Sequence, residues 1–428
     1  MRKVPHPTAP SPAGRKRFRR APVLVAAAAA LGTVVAALPG AGSASAAGPA
    51  AQAAPAVAAA PTTFTHPGVL VSLPQLAYVK SKVQANAEPW KDAYTQMIGS
   101  SYASLSRTPK PRADVECGSY SNPDNGCTDE RQDAIAAYTD ALAWYITGNS
   151  AYAQKSIDLM NAWAGTITEH TNSNAPLQTG WAGSVWPRAA EIIRYTYSGW
   201  SSADITKFSA MLRDVYLPEV INGSNSNGNW ELTMMEAAVG ISVFLNDSAD
   251  YDKAITRYLN RVQAYVYLST DGSLPKTVPG SGLNTSAQII SYWQGQSTFV
   301  TGLTQETCRD FTHTGYGIAS ISDVVETAAI QGQDLYPQVG ERLRQALGFQ
   351  SKYELGTTPP SWLCGGQLNL GLGPVTEVGF NALHNRMGIA MTNTQTLTES
   401  QRPAGTNSLF VAWETLTNAD NPDVVPTS

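Results

Sequence analysis

The stretch DAIAAYTDALAWYITGNSAYAQKSIDLMNAWAG, Asp133 to Gly165, decides the fold. Ile135, Tyr138, Leu142 and Tyr145 recur at steps of three and four, the period of one helix face. Gly148 and Asn149 break the pattern, and a second helix follows through Ile157 and Met160 to Trp163. Two helices joined by so short a break form an antiparallel hairpin. The same periodicity predicts helices over 187–197, 205–216, 232–245, 251–266, 318–331, 336–347 and 378–391. Long stretches rich in Gly, Asn, Ser and Thr (171–183, 222–229, 270–291 and 355–374) read as loops between them. Strand-like alternation is scarce before the C-terminal quarter. Hairpin after hairpin predicts an all-α-dominated fold, an (α/α) toroid or incomplete barrel whose loops build a cleft on one rim.

Ahead of this body lies a different kind of sequence. Residues 1–47 carry a basic front (Arg15 to Arg20), an apolar run (Val23 to Leu38) and small residues ending near Ala46 and Ala47, the layout of an export signal. Residues 48–63 are Ala/Pro-rich and nearly uncharged, which predicts a spacer. Residues 64–428 are expected to form one catalytic domain, released to the exterior with no membrane attachment after signal removal. Without the seven basic residues of the signal, 22 basic residues face 33 acidic ones, a net charge of −11. Such a surface does not favour nucleic acid or anionic membrane, and a polyanionic substrate would need a locally basic cleft. Four cysteines in an exported chain predict two disulfides out of three pairings. Cys117 and Cys127 flank the turn-rich GSYSNPDNG, which favours a local bridge there and leaves Cys308 with Cys364. No Cys-x-x-Cys pair suggests zinc and no Asp-rich loop suggests calcium, so no metal or cofactor is expected. A monomer is the default.

Aromatic residues crowd the loop segments. Trp181 and Trp186 lie in QTGWAGSVWPR, Trp230 in NGNWE, and Tyr292 and Trp293 in SYWQGQS. Indole rings beside amides suit the apolar faces and hydroxyls of sugars, although a large helical domain also buries many of its tryptophans. The segment GLTQETCRDFTHTGYG, Gly302 to Gly317, sets Arg309, His313 and Tyr316 within eight residues. In a helix starting at Glu306, residues 306, 309, 313 and 316 share one face. Arg, His and Tyr together suit β-elimination from a uronic-acid polymer. An amide or arginine neutralises the sugar carboxylate, a His or Tyr removes the C5 proton, and a Tyr can protonate the leaving O4. A tyrosine acting as base near neutrality would need a nearby cation, and Arg309 is close enough in sequence to be one.

Five segments in order, HPGVLVSLPQLAYVKSKV, YTDALAWYITGN, NGNWELTMMEAAVGISVFL, ETCRDFTHTGYGIA and NALHNRMGI, together resemble the alginate lyase superfamily of polysaccharide lyases. The resemblance runs from about His66 to Glu414. It implies an (α/α) toroid, secretion and eliminative cleavage of uronate polymers, without a metal in several relatives. In well-known members an Asn-Asn-His segment opens a helix, and an Arg and a Tyr seven residues apart follow later. Arg309 and Tyr316 have that spacing, and NGNW resembles the counterpart of Asn-Asn-His. The resemblance therefore implies Asn229 as the carboxylate-neutralising amide beside Arg309. Trp230 stands where those relatives carry histidine, so the base falls to His313 or Tyr316, and a sister branch acting on β-1,4-glucuronan becomes an alternative to alginate.

Further substrate contacts are expected from Gln178, Trp181, Arg188, Trp230, Trp293, His384 and Arg386. Two other function classes remain. A glycoside hydrolase on a helical barrel needs a pair of carboxylates, for which Glu231, Glu236, Glu306 and Asp310 are available. A non-catalytic glycan-binding protein would use the tryptophans alone.

Overall fold

The computed structural model describes residues 59–422. The expected export signal (1–47) and most of the expected spacer (48–63) lie outside the described residues. Four long helices form an inner layer, Cys127–Thr147, Ala175–Thr196, Gly228–Leu245 and Phe311–Ile330, each packed against the next. Outer helices back them: Ser150–Ala164 on the first, Ser248–Tyr265 on the third and Tyr336–Glu354 on the fourth. The ring closes through short helices rather than a full pair. Glu377–Phe380 packs on Phe311–Ile330 and on Glu414–Asn418, which in turn meets Leu73–Gln84, and that helix lies against Cys127–Thr147. This is the incomplete toroid of helical hairpins.

Burial patterns explain the two layers. Ser248–Tyr265 buries Tyr251, Ile255, Tyr258 and Val262, one stripe at steps of three and four. Gly228–Leu245 is buried from Gly228 to Phe244 apart from Trp230, as a helix enclosed on all sides must be. The first hairpin turns where its sequence requires. Gly148 ends one helix with φ +72°, a left-handed cap that glycine adopts freely, and Asn149 opens the next by accepting from the N–H of Ala151.

Other boundaries differ from the sequence reading. The helix expected from residue 187 begins at Ala175, because Pro187 sits within it without ending it, so Gln178 and Trp181 are helical rather than loop residues. The helix expected from Glu306 begins at Phe311, where Asp310 caps it and the residues before it form a turn. The only strands among the described residues are short. Asp114–Cys117 pairs antiparallel with Asp124–Asn125 and parallel with Glu169–Thr171. They hold a loop, residues 118–126, that the Cys117–Cys127 disulfide closes. The second disulfide joins Cys308 to Cys364. Both pairings are the expected ones. No helix among the described residues is long and apolar enough to cross a membrane.

The inner helices are also tied by charge. Arg188, 1% exposed, donates to Glu236 on the next inner helix and to Asp323 at 2.9 Å on the one beyond. The expectation that Arg188 meets substrate therefore fails, since its guanidinium is locked in the core between buried carboxylates whose charge it offsets.

Candidate active site

Three inner helices open toward one cleft of about 210 Å³. Its wall consists of Ser119, Tyr120, Asn174, Leu177, Trp181, Trp230, Arg309 and His313. Asn174 and Leu177 come from the start of Ala175–Thr196, Trp230 from the first turn of Gly228–Leu245, and His313 from the first turn of Phe311–Ile330. Helix N-termini carry partial positive charge and unpaired N–H groups, so this convergence favours an anion. A larger groove of about 480 Å³ along residues 353–370 has no Asp, Glu, His, Lys or Arg on its wall, so it holds neither a cation for a sugar carboxylate nor a carboxylate or imidazole base.

Asp310 has two tasks. Its carboxylate accepts from the N–H of His313 at 2.7 Å, which caps the helix, and it holds His313 Nδ1 at 2.7 Å. With Nδ1–H donated to a carboxylate, Nε2 is the nitrogen left with a lone pair, which is the tautomer a base requires. Burial alone would raise the Asp310 carboxyl, but the hydrogen bonds and charge of His313, with Arg309 beyond, hold it below the ordinary value.

Tyr316 follows one turn later. Its ring lies 5.5 Å from that of His313, 6.2 Å from Trp181 and 6.0 Å from Phe410, all edge to face. Its hydroxyl has no hydrogen-bond partner among the described residues. Burial, and then the charge of Asp310, push this phenol above its ordinary value, against the opposing charges of Arg131 and Arg309. The sequence reading placed a cation beside Tyr316 to lower it. The cations are present, but the apolar surroundings prevail, so Tyr316 stays protonated.

Behind the wall, Glu306 is fully buried and organises the neighbouring groups. It accepts from Asn229 Nδ2 at 2.6 and 2.7 Å, from the Asn229 N–H at 3.1 Å, from Arg309 Nη1 at 2.8 Å and from Tyr265 Oη at 3.2 Å. Tyr265 reaches it by passing between two helices at glycines. A Cβ on Gly228 would stand 2.2 Å from the Tyr265 ring, and one on Gly317 would stand 2.4 Å from its hydroxyl. Gly228 and Gly317 are the residues that permit this approach. Asn229 is itself fully buried and does not line the cleft. The expected direct contact of its amide with a sugar carboxylate gives way to a hold on Glu306, and so on Arg309.

Of the other expected contacts, Trp181 and Trp230 line the cleft. Gln178 does not. It is fully buried, donating to Glu130 and to the Cys127 carbonyl and accepting from Arg131. Trp293 is 2% exposed and packs edge-on against Phe299. His384 stacks on Phe380 and bonds the Ile389 carbonyl at 2.8 Å, while Arg386 pairs with Glu326. Glu326 lies thirteen residues beyond His313 on the same helix, roughly 20 Å along its axis. These two residues belong to a separate, structural network. The carboxylates available to a hydrolase are likewise committed: Glu231 to Arg257 and Arg261, Glu236 to Arg188, Glu306 to Asn229, and Asp310 to His313.

The sequence reading missed Arg131. It lies on Cys127–Thr147, its guanidinium 5.4 Å from the Trp181 ring centre, and fixes that indole by a cation–π contact. Nothing in CTDERQDA marks it out. Tyr120 was missed as well; it stands 89% exposed on the disulfide-closed loop at the cleft's edge.

Comparison with known proteins bears on the fold and the family. The chain is similar in structure to an alginate lyase from Bacteroides ovatus (15% identity, 83% of this chain and 99% of that chain, TM-score 0.51). It is also similar to alginate lyase A1-III from Sphingomonas species A1 (14% identity, 82% and 97%, TM-score 0.54). A variant of alginate lyase A1-III complexed with tetrasaccharide aligns comparably (16% identity, 85% and 97%, TM-score 0.53). At such identities these likenesses establish the fold alone. The search of curated sequences returned no match. The sequence model of the alginate lyase family matches residues 79–362, more than half of the chain, and that span includes Asn229, Trp230, Arg309, His313 and Tyr316. The chain therefore belongs to the alginate lyase family of polysaccharide lyases.

Proposed function

We propose that the chain is a secreted lyase that cleaves a β-1,4-linked uronic-acid polymer, mannuronate-rich alginate first, by syn elimination. The observation that carries this reading is the Asp310–His313 pair on the wall of a cleft shared with Arg309 and tryptophans, with Tyr316, its hydroxyl unbonded, packed against His313 and Trp181 next to that wall. Trp181 and Trp230 stack the sugar rings, and Arg309 draws in the carboxylate of the sugar that is to be cut. Pairing with that carboxylate makes the C5 proton more acidic by stabilising the enolate-like anion that its loss produces. His313 Nε2 takes the C5 proton, the electron pair forms the C4–C5 double bond, and the C4–O4 bond breaks. The Tyr316 hydroxyl donates its proton to O4, a role that suits a phenol held above its ordinary value. Proton return from His313 to the tyrosinate resets the site.

The elimination geometry supports the substrate choice. His313 and Tyr316 project from one face of one helix, three residues apart. Acid and base on the same side serve a sugar whose C5–H and C4–O4 bonds lie on the same face of the ring. Mannuronate and glucuronate meet that condition; guluronate does not. Asn229 and Glu306 act as positioning residues for Arg309.

The test is ultraviolet absorbance of the new C4–C5 double bond during separate incubations with polymannuronate, polyguluronate and glucuronan. A rise with polymannuronate and none with polyguluronate is expected. A rise with glucuronan alone would move the substrate to that polymer. Growth of reducing ends without absorbance would mean hydrolysis and would overturn the elimination. Silence in both assays would leave a glycan-binding protein.

A further inference from the structure

A proton donor must act from a fixed position, yet no hydrogen bond among the described residues fixes the Tyr316 hydroxyl. Three rings meet its own instead, each edge to face. His313 and Trp181 stand on the cleft wall. The third, Phe410, is fully buried and does not line the cleft.

Phe410 is held by more than packing. It lies in a loop, residues 405–413, whose ends are joined by the Trp413 N–H on the Gly405 carbonyl at 2.9 Å and by a bridge between Thr406 and Ala412. Inside the loop, Asn407 Oδ1 accepts from the N–H groups of Leu409, Phe410 and Val411 at 2.9–3.0 Å. The chain leaves through Trp413, 2% exposed, at φ +63°. A bulky residue rarely adopts that left-handed conformation, which persists only where the surroundings enforce it. Here the Trp413 indole donates to Thr139 Oγ1 at 2.8 Å, on the inner helix Cys127–Thr147.

The last hold is Arg188. Its Nη1 donates to the Phe410 carbonyl at 3.2 Å, while its Nη2 donates to Asp323 at 2.9 Å. Asp323 lies about two turns beyond Tyr316 on the same helix. One buried guanidinium therefore fixes the Phe410 backbone relative to the helix that carries Tyr316. Buried ion clusters are poor sources of net stability, and registry is their best-attested use.

We propose that Phe410 is a positioning residue for the elimination: clamped between Asn407 and Arg188, it sets the angle at which the Tyr316 hydroxyl meets O4. It touches no substrate itself. The proposal rests on the lyase reading above and extends the site to a segment beyond the family-matched residues 79–362.

Absorbance kinetics on whichever uronan the wild type cleaves test it, with Phe380→Leu as the control. Phe380 is a phenylalanine buried to the same degree, stacked on His384 in the structural network. Phe410→Leu should lower kcat about 10- to 100-fold, the cost of a reacting group misplaced by about 1 Å, with KM within about twofold. Phe380→Leu should lose as much melting temperature and keep the wild-type kcat. In a Tyr316→Phe background, Phe410→Leu should take nothing further from the residual rate, because the hydroxyl that it positions is gone. Asn407→Ala keeps the phenylalanine and frees its turn. It should lower kcat in the same sense, and it is read alone if Phe410→Leu does not fold. Wild-type kcat in the variant so read would overturn the proposal, as would a rise in KM at unchanged kcat. An equal loss of kcat in Phe380→Leu would also overturn it, since general loosening would then be the cause. So would a further loss in the Tyr316→Phe background, with Phe410 then acting through another group. A wild-type protein that cleaves none of polymannuronate, polyguluronate and glucuronan would remove the lyase reading and this proposal together.

Discussion

The two ends of helix Phe311–Ile330 carry nearly the same side chains and do opposite things. At its start stand Glu306, Arg309, His313 and Tyr316; near its end stand Glu326, Arg386, His384 and Tyr336. At the far end the carboxylate, the guanidinium and the phenol are all paired. Glu326 receives both arms of Arg386, Tyr336 Oη at 3.0 Å and Gln75 Nε2 at 3.0 Å, and His384 bonds a backbone carbonyl. At the near end capacity is left over. Arg309 and His313 line a cleft, and the Tyr316 hydroxyl bonds nothing among the described residues. Composition does not separate a reactive site from a structural network. A place on a cleft wall, and hydrogen-bonding capacity left over beside it, do.

Tyrosine substitutions at the two ends give the largest contrast. Tyr316→Phe removes the proton donor and should lower kcat by about 10²- to 10⁴-fold, with little change in the melting temperature. Tyr336→Phe should leave turnover unchanged and cost about 1 kcal/mol of stability, since a buried hydrogen bond to Glu326 is lost. Steady-state absorbance kinetics and thermal melts on both variants check this. Equal kinetics from the two would break the comparison.

The arginines should separate in the opposite order. Arg386→Ala leaves the carboxylate of Glu326 buried without its guanidinium, which should cost about 3–5 kcal/mol in denaturant unfolding while kcat at saturating substrate holds. If Arg386→Ala instead raised KM with stability intact, His384 and Arg386 would regain the substrate role expected from the sequence.

Asp310 sharpens the near end. Asn and Asp cap helices about equally well, so Asp310→Asn keeps the helix start and removes only the charge that orients His313. A fall in kcat on the order of a hundredfold is expected, with stability within about 0.5 kcal/mol. Unchanged kcat would mean that His313 needs no partner and that the dyad is only a cap.

Much of this was legible in the sequence, for reasons that differ by residue. The hairpin at Gly148–Asn149 was readable because a period change and a left-handed glycine are local signals. Arg309, His313 and Tyr316 were readable because one turn and one helix start bring them together. Gln178, Arg188 and Trp293 were misread because burial is a property of the assembled ring. Arg188 is a plausible carboxylate binder until Glu236 and Asp323, 48 and 135 residues away, close on it. Asn229 was placed beside Arg309, but the buried Glu306 that binds both lies 77 residues on, and no spacing rule reports it. Arg131 gave no signal at all, since its partner is the face of a tryptophan fifty residues away.

The smallest effect on turnover concerns a third kind of buried polar group, satisfied by neither network. Asp140 is fully buried on the inner helix Cys127–Thr147, and neither carboxyl oxygen has a partner. Burial pushes its carboxyl up to about 8, against the charges of Lys155 and Arg107. The folded protein therefore binds a proton there that the unfolded chain releases near the ordinary carboxylate value. Between those limits the native state holds the extra proton, so stability must fall as pH rises from about 4 toward 8. Asp140→Asn removes the titration while keeping the shape. Its stabilisation should be greater at pH 8 than at pH 5 by about 3 kcal/mol, accumulating at up to roughly 1.4 kcal/mol for each pH unit between the two, read by denaturant unfolding. The elimination rate should not change, because Asp140 bonds none of Arg309, His313 and Tyr316. An equal effect at both pH values would mean that Asp140 does not titrate in this range. A change in rate would mean that a buried group far from open space acts on the chemistry, against the distinction drawn from the two ends of the helix.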